Sequence, residues 1–405
     1  MPVIPLTCPF CGGDLQIDSN LEAAVCKFCK KPFVVKDAIV QNYISNVTNI
    51  NAENVNIYTQ KDFVIEAGEL KEYKGESVDV VIPDNVKVIG YRAFMGKGIE
   101  SVVLSENVVT IGNSAFANCS SLSSVTIPDS VKTIYDYAFY GCSSLKSITI
   151  PDSVETIGDV AFAGCSALKS ITIPYGVKAL GKIQTAHDYY YNSYRVGMFS
   201  GCSSLESIDI PDSVNIIGDY TFSGCSSLMN VTIPKSVTVI GAEAFKDCSA
   251  LKSITIPYGV RTIGKIQTET GLLDRKFKPC EGAFQGCSSL TSMVLPDSLV
   301  TIGDKAFYDC SSLMSITIPD SVRKIGEWPF ANCSALSSVK CALKWNTSFN
   351  VTPFLFNGTP FLEQWRQNCR ENNLCVFCGT RLPLFGKKCT GCGSSISHIK
   401  QYYRY

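Results

Sequence analysis

Eight cysteines are the residues whose type and spacing are best suited to binding a metal ion, because they form C-x-x-C pairs near both ends of the chain. The N-terminal region contains C-P-F-C-G-G and then C-K-F-C, and the C-terminal region contains C-V-F-C-G and then C-T-G-C. Two such pairs at this separation can place four thiolates on a tetrahedron, the geometry in which Zn(II) is usually held. The predicted zinc ligands are Cys8, Cys11, Cys26 and Cys29 in the first region, and Cys375, Cys378, Cys389 and Cys392 in the second.

Both predicted metal sites are structural rather than catalytic. Four sulfurs fill the coordination sphere and leave no position for a reactive water molecule. A thioredoxin-like redox pair is the alternative, but neither region has the strand and helix context of that motif. Both regions resemble the zinc ribbons found at the ends of many bacterial regulatory and scaffold proteins, which implies two structural zinc ions.

Nine further cysteines recur within the middle of the chain, and Cys280, Cys341 and Cys369 belong to neither group. An odd number cannot pair completely, so a full disulfide ladder is excluded and reduced thiols in the cytoplasm are favoured. We expect the nine to fill equivalent small slots in a core. A redox or metal ladder is the alternative.

The cysteines mark a repeat of 23 residues, seen clearly as CSSLKSITIPDSVETIGDVAFAG from Cys142 to Gly164. Leu145, Ile148 and Ile150 are predicted to point inward from a short strand, with Ser147 and Thr149 outward. One turn of helix is expected at Ala161–Phe162 to close each unit. A unit this small cannot bury its own apolar edge, so the units must stack, with parallel strands about 4.8 Å apart.

The phrase I-P-D-S-V-x-x-I-G-x-x-A-F-x-x-C-S-S-L resembles the leucine-rich repeat of the BspA-like family. The resemblance implies a leucine-rich-repeat solenoid, and the sequence contains about ten units of it, flanked by the two small ribbons. Members of that family are often secreted surface adhesins, whereas MPVIPLTCPFCGG has no basic region or apolar run typical of a secretory signal. The units are counted by Phe94, Phe116, Phe139, Phe162, Phe199, Phe222, Phe245, Phe284, Phe307 and Phe330.

The predicted domains follow this division of the chain. A zinc ribbon at 1–40 is followed by a linker or strand at 41–60, the solenoid with its N-terminal cap at 61–340, a C-terminal cap with a helix at 341–373 and a second ribbon at 374–405.

Two insertions interrupt the period, at 182–195 after Gly181 and at 265–280 after Gly264. Both lie in units that begin CSALKSITIPYGV, which indicates duplication of a block of three repeats. The first insertion carries an aromatic cluster typical of binding hot spots. The predicted partner-binding residues are Tyr189, Tyr190, Tyr191, Tyr194 and Arg195; the alternatives are that the insertions pack on each other, on the solenoid surface or in a dimer contact.

Composition excludes several classes of function. Equal numbers of acidic and basic residues, 36 of each, give no net field for steering toward nucleic acid or lipid. No apolar run is long enough to span a membrane, so no membrane partner is expected. The chain has two histidines and none of the common nucleotide-binding or hydrolase motifs, so we expect no enzyme activity.

The sequence therefore predicts a cytoplasmic, non-enzymatic scaffold that binds another protein through the solenoid surface and insertions. One alternative is a nucleic-acid-associated regulator, because basic and aromatic residues mix in the C-terminal ribbon. A surface adhesin is the other alternative.

Overall fold

The computed structural model describes residues 3–7, 14–18, 23–25, 32–34, 62–183, 196–265, 282–341, 353–372, 374, 382 and 396–401. Four strands lie in the N-terminal region. They are β1 (Val3–Thr7), β2 (Asp14–Asp18), β3 (Ala23–Val25) and β4 (Pro32–Val34). They form two antiparallel hairpins, β1 with β2 and β3 with β4.

The middle of the chain is a coil of short strands. In chain order they are β5 (Phe63–Glu66), β6 (Glu69–Tyr73), β7 (Asp79–Val81), β8 (Val88–Ile89), β9 (Ser101–Val103), β10 (Thr110–Ile111), β11 (Ser124–Thr126), β12 (Thr133–Ile134), β13 (Ser147–Thr149), β14 (Thr156–Ile157), β15 (Ser170–Thr172), β16 (Ala179–Leu180), β17 (Ser207–Asp209), β18 (Ile216–Ile217), β19 (Asn230–Thr232), β20 (Val239–Ile240), β21 (Ser253–Thr255), β22 (Thr262–Ile263), β23 (Ser292–Val294), β24 (Thr301–Ile302), β25 (Ser315–Ile318), β26 (Lys324–Ile325) and β27 (Ser338–Cys341).

These strands form two parallel ladders on two sides of the coil. The first ladder contains the odd-numbered strands from β7 to β27 and is divided between β11 and β13 and between β19 and β21. The second ladder contains the even-numbered strands from β6 to β26, is divided between β14 and β16, and has β5 on its outer edge. Pairing is in register, since Ser147 lies opposite Ser170 and Ile148 opposite Ile171. Within the described residues, each ladder contributes eleven strands to a parallel solenoid.

The alternation within the first ladder follows the sequence pattern. In β13 the central Ile148 is buried, while Ser147 and Thr149 are exposed. Leu145 and Ile150 are buried on either side of the strand, as predicted. Because side chains of a strand point alternately to opposite faces, this pattern gives each unit one apolar edge to bury against its neighbours.

The third side of the coil consists of hydrogen-bonded turns, so the helix predicted at Ala161–Phe162 is wrong. Residues 159–164 form turns, and Val160 has a φ of 62°, in the left-handed region that a right-handed helix excludes. The amide of Phe139 donates to the carbonyl of Ala161 in the next unit at 2.8 Å. Backbone groups therefore bond from unit to unit here, as they do in the strand ladders.

A column of aromatic rings fills the centre, and it corrects the number of repeats from about ten to about eleven. Adjacent rings from Tyr73 to Phe356 have centroids 5.0–5.7 Å apart. Phe356 supplies an additional ring beyond Phe330. Its unit was missed because Thr359 occupies the cysteine position, three residues after the ring.

Non-repeating segments cover both ends of the solenoid. At the start, β5 pairs with β6 in an antiparallel hairpin. At the end, the last unit finishes in a 3-10 helix (Pro353–Phe356), and helix α1 (Pro360–Glu371) follows as the cap. The first turn of α1 is capped by the Thr359 hydroxyl, which accepts from the Leu362 amide at 3.1 Å. Leu362 is buried, and Phe361 and Trp365 pack against the core. A second short helix, α2 (Ile396–Gln401), lies near the C-terminus.

Candidate protein-binding site

The cysteine column lies inside the core and is structural. Each repeat thiol is fully buried and donates a hydrogen bond to the carbonyl of the phenylalanine in the preceding unit, at 3.0–3.3 Å. The nine are free cysteines. They are Cys119, Cys142, Cys165, Cys202, Cys225, Cys248, Cys287, Cys310 and Cys333.

Burial also makes eight of these thiols poor nucleophiles, because it raises their pKa. Desolvation raises the pKa of Cys119 and that of Cys202 to about 12, because the protein interior disfavours the thiolate. The same cause raises the pKa of Cys165 and Cys225 well above its usual range. The prediction that these residues fill core slots is therefore confirmed.

The two insertions leave the solenoid from equivalent positions, immediately after the second ladder. Lys182 and Lys265 are the first residues of the insertions, and each pairs with an aspartate of an earlier unit. The Lys182 ammonium lies 3.3 Å from the Asp159 carboxylate in a partly exposed pair. Lys265 instead bonds Asp219, whose side chain is completely buried and also accepts from the Ala242 amide at 2.9 Å.

A polar cleft lies at the base of the first insertion. Its lining includes Asp136, Tyr137, Asp159, Lys182 and Asp219. Asp136 accepts from the Asp159 amide at 2.8 Å, and burial followed by the nearby Asp136 carboxylate raises the pKa of Tyr137. Aspartates at this position therefore bond to the backbone of the next unit or to a lysine, which is a structural role.

All of the residues predicted to bind zinc or a partner lie outside the described residues. These are the eight terminal cysteines and the partner-binding residues Tyr189, Tyr190, Tyr191, Tyr194 and Arg195. Across the described ranges, no group of three or more His, Cys, Asp or Glu side chains is arranged to hold a metal ion. In the same ranges, no helix has the length and apolar character needed to cross a membrane.

The structure does describe the strands on either side of the N-terminal cysteine pairs. Thr7 of β1 pairs with Asp14 of β2, so Cys8 and Cys11 fall within the connection between these strands. Val25 of β3 pairs with Pro32 of β4, which places Cys26 and Cys29 in a second such connection. Each of the two N-terminal C-x-x-C pairs thus lies in the connection between two paired antiparallel strands.

Two exposed tyrosines near the insertions were missed by the sequence argument. Tyr175 is 65% exposed and Tyr258 is 76% exposed, at the bend between the two ladders in the same units that carry the insertions. The phrase CSALKSITIPYGV contained the signal, because tyrosine replaces the aspartate of I-P-D-S-V in both copies. Only the folded coil shows that this position faces solvent and lies beside the second ladder.

Comparison with protein families gives a match over well over half of the chain. The model described as "BspA type Leucine rich repeat region" matches residues 71–193, 192–267 and 280–366, with six copies. A search of curated protein sequences gave no match.

Several solved structures are similar. A leucine rich cell surface protein from Faecalibacterium prausnitzii is 30% identical, over 70% of this chain and 94% of that one, with a TM-score of 0.36. A leucine-rich repeat protein from Bacteroides ovatus is 28% identical, over 79% and 97%, with a TM-score of 0.39. The pneumococcal vaccine antigen PcpA is 18% identical, over 70% and 81%, with a TM-score of 0.44. By its repeat sequence and the extent of the family match, this chain belongs to the BspA-type leucine-rich-repeat family.

Proposed function

We propose that this protein is a non-enzymatic scaffold that binds another protein on its solenoid surface, in the region where the two insertions leave the coil. One observation carries the proposal: both insertions start at the same repeat position, in units three apart on one continuous core. The spacing of parallel strands separates these units by about 14 Å. Loops held at a defined separation by a rigid repeat array are suited to recognition.

The chemistry of the described residues supports binding rather than catalysis. The repeat thiols are buried, and the aspartates beside the insertions bond to backbone amides and lysines. Groups in such roles stabilise the coil and are not poised to attack a substrate.

The test is to remove each insertion without disturbing the coil. Deleting 183–196 or 266–281 keeps Lys182 and Lys265 with their aspartate partners and changes the Cys165–Cys202 or Cys248–Cys287 spacing to the regular 23-residue period. After the deletion, Gly197 or Gly282 occupies the repeat position at which Val160 of the regular unit has a left-handed backbone. Glycine adopts that conformation without strain, so each junction should fold. Capture of partners from lysate by the full-length protein and by each deletion variant is then compared.

We expect specific partners to be lost with one or both deletions, while circular dichroism and the thermal transition are retained. An unchanged set of captured proteins from a double-deletion variant that is folded would reject the insertion region as the binding site. Substituting Ser124 and Thr126 of β11 with alanine is the control, because these exposed residues lie on the other ladder.

We also propose that the terminal cysteine quartets hold two structural zinc ions and that the protein works in the cytoplasm. The two N-terminal hairpins support the first part, since a hairpin connection can turn both thiolates of a C-x-x-C pair toward one metal ion. The unpaired repeat thiols are compatible with a reducing compartment. Zinc would stabilise the fold of regions too small to have a large core of their own.

A further inference from the structure

The surface between the two insertions differs chemically from the rest of the solenoid. We name it the inter-insertion strip and define it by six residues on the second-ladder side of the coil: Tyr175, Lys178, Ile216, Val239, Tyr258 and Arg261. It begins in the unit of the first insertion and ends in the unit of the second. Its ends are therefore about 14 Å apart along the coil.

The floor of the strip is apolar. Ile216 and Val239 are the half-buried first residues of β18 and β20, in neighbouring units. Most other units have threonine here, as at Thr110, Thr133 and Thr301. The change exposes aliphatic surface at the centre of the strip, where side chains of a partner could be buried.

Tyrosines mark both ends of the strip. Tyr175 and Tyr258 occupy the bend between the ladders and are largely exposed. At this position, units outside the strip carry exposed acids, namely Asp84, Glu106, Asp129, Asp152, Asp297 and Asp320. Exposed tyrosines contribute large contact areas with little loss of conformational entropy, and they are enriched in binding hot spots.

Cations accompany the tyrosines at the same spacing in both units. Lys178 follows Tyr175 by three residues, and Arg261 follows Tyr258 by three residues. Both are exposed, and no ion pair involves either of them among the described residues. Lys235 adds a third exposed cation between the two tyrosines, whereas Asp212 is the acid at that bend.

We propose that the inter-insertion strip binds an extended acidic segment of a partner protein, with apolar side chains over Ile216 and Val239 and carboxylates near Lys178 and Arg261. A distance of about 14 Å corresponds to roughly four residues of extended chain. The acidic bends outside the strip would repel the same segment, so charge would set its position along the coil. This inference rests on the proposed function and names the partner chemistry for the same region.

The test uses the immobilised full-length protein and a display library of short random peptides. Selected peptides should have apolar central residues flanked by Asp or Glu. A labelled selected peptide should bind with an affinity that falls as NaCl rises, because surface ion pairs are screened. Combining Lys178→Glu with Arg261→Glu, or Tyr175→Ala with Tyr258→Ala, should weaken binding by about tenfold or more.

The matched control combines Lys132→Glu with Tyr135→Ala, an exposed cation and an exposed tyrosine on the second-ladder side outside the strip. It should change affinity by less than about twofold. Selection of basic or uncharged peptides, no selection at all, or equal losses in the control would overturn the proposal. If the insertion deletions still abolished partner capture, the proposed function would stand while this inference failed.

Discussion

At the scale of the residue, each repeat cysteine is a buried thiol that donates a hydrogen bond to a carbonyl of the preceding unit. We expect iodoacetamide at pH 8 to leave all nine unmodified in the folded protein and to alkylate them after denaturation. Burial blocks access at every site, and at eight of the nine desolvation also raises the thiol pKa and so disfavours the thiolate needed for attack. Mass spectrometry of tryptic peptides measures each site, and rapid native labelling of Cys225 would contradict the complete burial of its thiol.

The same pKa shifts make stability depend on pH. The folded-state pKa of Cys202 is raised from 9.0 to about 12, so unfolded thiols lose their protons first as pH rises. The thiols therefore favour the folded state below about pH 9, and this contribution is lost progressively as pH rises through about 12. Urea unfolding between pH 8 and 10.5 measures the slope of the unfolding free energy against pH. Cys202→Ala should flatten it by up to about 1.4 kcal/mol per pH unit, and an identical slope would contradict the shift.

An aromatic ring in the central column should contribute more to the free energy of unfolding than an exposed ring. Phe222 is fully buried between Phe199 and Phe245, with ring centroids 5.6 and 5.2 Å away. Phe222→Ala should lower the free energy of unfolding by about 3–5 kcal/mol, because it leaves a cavity and removes two stacking contacts. Tyr135→Ala should cost less than about 0.5 kcal/mol. Chemical denaturation compares the two, and similar losses would argue against a continuous ring column.

At the scale of the element, the duplicated block offers two lysines in equivalent positions but unequal surroundings. Lys265→Met should destabilise the coil by about 3 kcal/mol, because it leaves the buried Asp219 carboxylate without this partner. Lys182→Met breaks a pair that is half exposed at the lysine and should cost less than about 1 kcal/mol. Thermal unfolding at matched salt gives the comparison. Equal costs would mean that the Asp219 carboxylate does not depend on Lys265.

At the scale of the whole molecule, the proposed ribbons and the solenoid should be separable. Elemental analysis should give about two zinc ions per chain, and Cys8→Ser with Cys11→Ser should lower this to about one. The cooperative unfolding of the solenoid should not change, since its core is a continuous apolar column without a metal ligand set in the described residues. Cys119→Ala is the control and should retain both ions. Disulfides at the terminal cysteines instead of zinc would reject both the ribbons and the cytoplasmic location.

Sequence alone determined the unit of the fold, because one 23-residue phrase repeated many times can bury its apolar residues only by stacking. The inward direction of Ile148, the outward direction of Ser147 and the burial of the repeat cysteines all follow from that periodicity. The local sequence pattern did not determine the backbone conformation on the third side of the coil. There Val160 adopts a left-handed backbone because the amides of one unit must reach carbonyls of the next, and this requirement exists only once units are stacked.

Tertiary structure alone also decided which surface residues lie together. Tyr175 and Tyr258 are 83 residues apart in the chain, yet stacking places them in one line three units apart, with Ile216 and Val239 beside them. The buried pair of Asp219 and Lys265 joins units that are not adjacent, which no repeat alignment indicates. The repeat sequence dictates how each unit folds. The residues that depart from the repeat form a common surface only when stacking brings them to within a few strand spacings of one another.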